Sequence, residues 1–238
     1  MKALILNSGL GHRMGDITKT HPKCMTNIYE GETILSRQLK LIEKIGIKEV
    51  VITTGYFDNV LIDYCKSLDL SLSIEFVNNP LYATTNYIYS IYCAKELLDD
   101  DILLMHGDIV FDYTVLEDIL TQDRSVMKVS TTIPLPDKDF KAVVDNDLRI
   151  SKVGIEFFDS ALEAQAMYKI NKNDWKIWLD KIIDYCEHDN RKCYAENAFN
   201  EISSKCAIYG FDAKDRLCTE IDTPEDLAKV QRRLQNGD

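Results

Sequence analysis

Two hydrophobic periods alternate along the first hundred residues, and their succession predicts the fold. Lys2 to Leu6 is a short unbroken apolar run, the mark of a strand buried on both faces. Thr33 to Ile45 sets Leu35, Leu39, Ile42 and Ile45 on one helical face, and Gly46 suits the C-terminal cap. Glu49 to Thr54 returns to a strand pattern. Leu61, Tyr64, Cys65 and Leu68 then follow helical i, i+3, i+4, i+7 spacing, with Asp58 placed to cap that helix. Ser71 to Val77 alternates as a strand, Asn86 to Leu97 reads as a helix, and Asp101 to Met105 as another buried strand. The repeated β-α order predicts an α/β fold with a doubly wound, mostly parallel sheet and helices on both faces. Ligands of such sheets sit at the carboxyl ends of the strands, which singles out the loops after residues 6, 54, 77 and 105.

The second half has a different rhythm. Ser125 to Thr132, Phe140 to Val144 and Leu148 to Val153 are strand-like, and Asp145-Asn146-Asp147 makes a hairpin turn between the last two. Gln165 to Ile170 is one more strand. Asn173 to Cys186 and Tyr194 to Ile202 read as helices. Thr223 to Leu234 is a capped helix with Thr223 as N-cap, Pro224 in the first turn, and Glu225 and Asp226 beside it. There is no linker, repeat or low-complexity tract, so one domain over 1–238 is expected.

Composition narrows the chemistry. The chain has 238 residues, 45% hydrophobic and 28% charged, as expected of a soluble globular domain. Lys plus Arg is 28 and Asp plus Glu is 39, so the formal charge is −11. That field repels nucleic acid and anionic membranes, and any phosphate site must be locally basic against it. The apolar run at Met1 to Leu6 is too short for a signal peptide, and no stretch has the length of a membrane helix. The seven cysteines are odd in number and widely spaced, with no C-x-x-C, which points to free thiols in a cytoplasmic protein. His12, His21, His106 and His188 show no ligand spacing.

The loop after the first strand, Asn7-Ser8-Gly9-Leu10-Gly11-His12-Arg13-Met14-Gly15, offers backbone N–H groups that can approach phosphates closely. A dinucleotide loop would run straight into a helix. Here Asp16 to Lys23 intervenes, with Pro22 as a breaker, and the next strand ends in Thr53-Thr54-Gly55 without an acid for a ribose. An NADP-dependent oxidoreductase is disfavoured on both grounds.

Taken together, Gly9-x-Gly11-x-Arg13 and Thr18-x-x-x-Pro22-Lys23 resemble the signature of nucleotidyltransferases, which join an NTP to a phosphorylated acceptor and release pyrophosphate. Asn79-Pro80-x-Tyr82-x-x-x-Asn86-x-x-x-Ser90 resembles the nucleoside segment of the small cytidylyltransferases acting on phosphocholine, aminoethylphosphonate and similar compounds. His106-Gly107-Asp108 and Glu220-Ile221-Asp222 resemble the two metal-binding segments of that family. The resemblance implies a Rossmann-like sheet with a nucleotide-binding part over about 1–125. An appended acceptor-binding β/α part would follow over about 126–215. The second metal aspartate and the C-terminal helix would occupy 216–238. It implies CTP contacts by Leu6, Asn7, Gly9, Leu10, Gly11, Asn79, Thr85 and Asn86, catalytic roles for Arg13 and Lys23, and Mg²⁺ on Asp108 and Asp222.

The chemistry fits those residue types. Nucleotidyl transfer needs alignment and charge neutralisation more than covalent help. Arg13 offers a planar fork to phosphates and Lys23 a point charge. Mg²⁺ prefers carboxylate and phosphate oxygens. Glycine before Asp108 is expected to let the backbone pass close to a nucleotide. Alternation along a strand at 217–221 is expected to turn Glu220 away from the metal. Asn7-Ser8 stands where the family commonly has alanines and His12 where it often has serine, which alters base contacts more than chemistry.

Tyr194-x-Glu196-Asn197 resembles a segment near the acceptor pocket, and Tyr168, Trp175 and Trp178 add aromatic surface, although Trp175 and Trp178 at i, i+3 read first as helix-packing residues. An aromatic wall with an acid suits a cationic head group. The expected reaction couples CTP to a small phosphorylated or phosphonate acceptor in a monomer or homodimer. A sugar-1-phosphate nucleotidyltransferase and a non-catalytic nucleotide-sensing module are the alternatives.

Overall fold

The computed structural model describes residues 1–237. In chain order its elements are β1 Lys2–Leu6, β2 Asn27–Tyr29, β3 Glu32–Thr33, α1 Ile34–Lys44, β4 Glu49–Thr54, α2 Asp58–Ser67, β5 Ser73–Asn78, α3 Tyr87–Ala94, β6 Ile102–His106, β7 Ile109–Phe111, α4 Tyr113–Leu120, β8 Val126–Ser130, β9 Lys141–Val144 and β10 Ile150–Gly154. There follow β11 Ala161–Ile170, α5 Lys172–Glu187, α6 Ala195–Ile202, β12 Tyr209–Asp212, β13 Cys218–Glu220 and α7 Pro224–Asn236.

β6, β1, β4 and β5 lie side by side and parallel, with Ile5 opposite both Ile52 and Met105. Every residue from Ala3 to Leu6 is buried, as an unbroken apolar strand requires. The second half does not form a separate layer. Its long strand β11 runs antiparallel to β6, with Met167 opposite Met105, and continues beyond β6 to pair with β9 and β8. β8 then takes β12 in parallel and β9 takes β10, so nine strands share one sheet. The second half of the sequence is thereby welded edge to edge to the first.

Several expectations change in detail. Phe57, not Asp58, is the N-cap of α2; Asp58 is its first residue and accepts a hydrogen bond from Thr54 Oγ1. The helix expected over 86–97 is α3, capped by the Asn86 side chain, followed by a separate 3-10 turn at Lys95–Leu97. β13 lies within the strand expected at 217–221, and it pairs antiparallel with β7, whose three residues have no periodicity long enough to be seen in sequence. Thr223 caps α7 as expected, in a reciprocal pair with Asp226. No helix is long and apolar enough to cross a membrane among the described residues.

Trp175, Trp178 and Tyr168 are core, not pocket wall. Each is at most 1% exposed, and they stack edge to face with centroids 5.4 and 5.9 Å apart. The indole N–H groups donate to Leu98 O and Ala195 O, both at 2.9 Å, so burial leaves neither unsatisfied.

One polar pair lies deep in the sheet. Lys128 on β8 is fully buried and donates to Glu163 on β11 at 2.6 Å. Removing one partner of such a pair leaves an uncompensated buried charge. Lys128→Met is expected to lower the unfolding free energy by about 3–5 kcal/mol in urea titration. A loss below about 1 kcal/mol would mean that Glu163 does not depend on this ammonium.

Candidate active site

Three distant segments converge at the carboxyl ends of β1 and β6. The loop after β1 turns through Gly11, whose φ of +64° favours glycine; a Cβ there would lie 3.2 Å from Lys23 Cβ. Thr18 Oγ1 donates to Gly11 O at 3.0 Å and fastens the loop to the residues that follow. No α-helix follows this loop, only short 3-10 turns, the last of which is capped by Pro22 and begins at Lys23.

The turn delivers the Lys23 ammonium between two carboxylates. Its Nζ lies 2.7 Å from Asp222 Oδ1 and also pairs with Asp108 Oδ2. Arg13 Nη1 reaches Asp222 Oδ2 at 2.8 Å, while the rest of its side chain is largely exposed. Burial alone would lower the Lys23 pKa, but Asp108 and Asp222 outweigh it and hold the ammonium above the ordinary lysine value. Burial likewise opposes ionisation of Asp108, and Lys23 overrides it, so this carboxyl sits below its usual value. Asp108 Oδ1 is buried with no hydrogen-bond partner.

Glu220 does not face away. Residues two apart share a face, and β13 ends at Glu220, so Glu220 and Asp222 both turn inward. Glu220 Oε1 lies 3.2 Å from His106 Nδ1, and His106 shares its face with Asp108 by the same spacing. Burial would lower the His106 pKa, but Glu220 raises it; burial and then Asp108 push Glu220 up. Ligand-type atoms of His106, Asp108 and Glu220 lie within 4.8 Å of one another, as do those of Asp139, Glu220 and Asp222. His106 therefore stands in an acidic cluster that its sequence spacing did not suggest.

Two small cavities flank this cluster. One, about 100 Å³, is lined by Leu6, Asn7, Gly9, Gly11, Lys23 and Asp108 among others. The other, about 160 Å³, is lined by Leu6, Ser8, Gly9, Tyr82, Thr85, Asn86, Tyr87, His106 and Asp108. Two expected nucleotide contacts are placed differently. Asn79 is 1% exposed, and its amide is committed to Thr85 Oγ1, Ser90 Oγ and Leu81 N, so it braces the pocket wall from behind. Leu10 is half-buried and lines neither cavity. Gly107 also has another reason than the one expected. A Cβ there would fall 1.6 Å from Asn7 Oδ1, so it is the Asn7 amide that lies flush against this backbone.

The acceptor candidates separate. Tyr194 is half-buried and shares a corner of about 70 Å³ with His106, Asp139, Phe140, Glu220 and Asp222. Its ring lies 5.2 Å from Phe140 and 5.8 Å from Tyr87. Glu196 is 2% exposed and accepts from Tyr168 Oη at 2.8 Å and from Tyr87 Oη. It holds the aromatic corner from beneath rather than facing a ligand. Phe140, Asp139 and Tyr87 escaped the sequence reading. Only the motifs His-x-Asp and Glu-x-Asp carried a signal for His106 and Glu220.

A family model described as the MobA-like NTP transferase domain matches residues 3–132. The chain is 34% identical over 117 residues to CMP-5'-(3-aminopropyl)phosphonate synthase of Streptomyces rubellomurinus, covering 49% of this chain and 18% of that protein. It is 31% identical over 117 residues to CTP:phosphoglutamine cytidylyltransferase of Campylobacter jejuni, covering 47% and 45%. It thus spans less than half the length of these two. Against choline-phosphate cytidylyltransferase of Haemophilus influenzae it is 31% identical over 240 residues, covering 98% and 97%. The solved CTP:phosphocholine cytidylyltransferase of Streptococcus pneumoniae superposes with a TM-score of 0.77 at 20% identity, over 98% of both chains, a likeness of fold.

The charge balance makes a pH prediction. Asp108 lies below its ordinary value near 3.8. Its ion pair therefore adds stability above that pH, and the contribution is lost as pH falls through the lowered pKa. In Lys23→Met the two carboxylates face each other without the ammonium, and the Asp108 pKa must rise instead. The melting temperature of the variant is expected to climb relative to wild type between about pH 7 and about pH 5. A gap between the two that stays constant with pH would mean that Lys23 does not neutralise this pair.

Proposed function

Because the chain belongs to the MobA-like NTP transferase domain family, we propose that it is a cytidylyltransferase that moves CMP from CTP to a small phosphorylated or phosphonate acceptor and releases pyrophosphate. The observation that carries the reading is the Lys23 ammonium held beside Asp108 and Asp222, at the mouth of a glycine loop on a parallel sheet. Backbone donors at Gly9 to Gly11 would receive the triphosphate, with Leu6, Asn7, Thr85 and Asn86 toward the nucleoside. Arg13 and Lys23 would grip phosphate oxygens, and an acceptor oxygen would attack the α-phosphorus in line, without a covalent enzyme intermediate.

The residues fit a hard divalent cation. Two carboxylates converge, and Asp108 Oδ1 is a buried acceptor with no donor. Mg²⁺ held by Asp108 and Asp222 would supply neutralisation of charge on the phosphates.

The acceptor corner supports a zwitterion. Tyr194 and Phe140 supply aromatic lining, while Asp139 and Glu220 supply negative charge that a neutral sugar would not use. Relatives with sugar-1-phosphate activities keep a sugar nucleotidyltransferase as the second reading. A module that only senses nucleotide would have no use for the paired carboxylates.

The deciding experiment is a pyrophosphate-release screen of four NTPs against phosphocholine, 2-aminoethylphosphonate and glucose 1-phosphate, with and without Mg²⁺. CTP with an amine-bearing acceptor is expected to turn over, only with the metal. Turnover confined to the sugar phosphate would select the second reading. If Asp108 and Asp222 serve one ion, each Asp→Asn change should remove most of the turnover, and the double change should lower it little further. Losses that simply multiply would mean that the two carboxylates act independently.

A further inference from the structure

α1 carries a polar residue inside its apolar stripe. Gln38 lies three residues after Leu35 and four before Ile42, so helical spacing sets it on the face that both of them bury. It is 1% exposed. Its Nε2 donates to His106 O at 3.0 Å and to Ile109 O at 2.8 Å. Those bonds use both amide hydrogens, and Oε1 is left buried with no partner. A buried acceptor without a donor is unfavourable, and an apolar side chain of the same length would avoid that cost. What sets Gln38 apart from such a side chain is the pair of bonds it donates.

Both bonds end on the turn that carries Asp108. His106 closes β6 and Ile109 opens β7, so the two carbonyls bracket Gly107 and Asp108. The neighbouring residue extends the hold: Arg37 Nε donates to Phe111 O, at the far end of β7, at 3.3 Å. The start of the same helix is fastened to the Lys23 turn. Ile34 N donates to Thr26 O at 3.2 Å, and Thr26 N to Lys23 O at 2.9 Å. Ile34 and Gln38 are one turn of helix apart, so the two grips have no hinge between them. α1 is a short rigid bar that holds the backbone behind the ammonium and the backbone behind its carboxylate. Among the described residues, none of α1 lines the three cavities around the cluster, so Gln38 acts only through the turn.

We infer that Gln38 is a positioning residue: it fixes the Asp108 turn against the Lys23 turn and thereby sets the affinity for a nucleotide bound with its divalent cation. The inference rests on the proposed transferase reading and adds to it a residue that touches no ligand. A hard cation tolerates little change in the place of its oxygen ligands, and a shift of about 1 Å in a positioned group is enough to cost much of its effect.

Three variants test this. Gln38→Met keeps the length of the side chain and removes both donors. Gln38→Asn keeps the amide but falls one methylene short of the turn. Leu39→Ala, at the adjoining buried position, weakens the packing of α1 and leaves the bonds to the turn in place. Amide hydrogen exchange is followed at Gly107 and Ile221, whose N–H groups tie the turn to Leu6 O and Asp108 O. Binding of the Mn²⁺–CTP complex is followed by the relaxation of water protons. Both Gln38 variants are expected to speed exchange at Gly107 and Ile221 about tenfold, with β4 unaffected, and to weaken Mn²⁺–CTP about tenfold. Leu39→Ala is expected to lower the melting temperature but to keep the affinity within about twofold. Unchanged exchange at the turn, unchanged affinity in the Gln38 variants, an equal loss of affinity in Leu39→Ala, or no binding of Mn²⁺–CTP by wild type would overturn the inference. So would failure of both Gln38 variants to fold, since the amide would then serve the fold itself. Pyrophosphate release from CTP, with an affinity indifferent to Gln38, would leave the transferase reading standing and the positioning role refuted. Weakened Mn²⁺–CTP binding in the Gln38 variants, without pyrophosphate release from any NTP in wild type, would support the positioning role and refute the transferase reading.

Discussion

The arrangement depends on one ammonium. Lys23 Nζ sits between Asp108 and Asp222, residues that arrive from the end of β6 and from the turn after β13. Both carboxylates are largely withdrawn from water, so each charge is tolerable only because its partner is in place. Backbone hydrogen bonds set the same geometry. Gly107 N donates to Leu6 O and Ile221 N to Asp108 O, each at 3.0 Å, which fixes the three segments before any side chain is considered. In a chain of net charge −11, this local pairing is what keeps basic groups stationed where the wider field is acidic.

A second layer of polar contacts holds the aromatic corner. Glu196 accepts from two tyrosine hydroxyls and so orients Tyr87, whose ring packs 4.6 Å from His106. His106 in turn pairs with Glu220. The acid that sequence placed against a ligand thus works through its neighbours: it fixes Tyr87, which packs against the His106 and Tyr194 rings of the corner, while remaining buried itself. The same logic applies to Asn79, which fixes Thr85 rather than a nucleotide.

What the sequence disclosed, and what it did not, follows from the range of each interaction. The parallel half was legible because β1, β4 and β6 are buried runs and α1 has a clean apolar face, all local properties. The glycine loop, Lys23, Asp108 and Asp222 were legible because each lies in a short motif of rigid or charged residues. Trp175 and Trp178 are core, as their i, i+3 spacing on a helix suggested, whereas Tyr168 was misplaced because composition cannot tell a core aromatic from a pocket aromatic. Asp139 and Phe140 were invisible for another reason. They owe their place to the long register of β11 against β6, β8 and β9, which no local pattern records. For Glu220 the signal was present, since i and i+2 spacing already placed it with Asp222.

Charge balance constrains how a phosphate ligand can enter. Arg13 and Lys23 are the cations nearest the glycine loop, and both already have carboxylate partners. A triphosphate arriving alone would compete with Asp108 and Asp222 for them, and every cation drawn toward phosphate would leave a largely buried carboxylate uncompensated. That exchange is unfavourable in a poorly solvated site, where an unpaired charge costs more than a lost hydrogen bond. It becomes balanced only when the two carboxylates receive another positive charge as Lys23 and Arg13 turn away. The unpartnered Asp108 Oδ1 is already free to accept one. On the proposed reading, nucleotide and divalent cation should therefore bind with strong mutual dependence, a property set by three ion pairs rather than by the shape of the cavity.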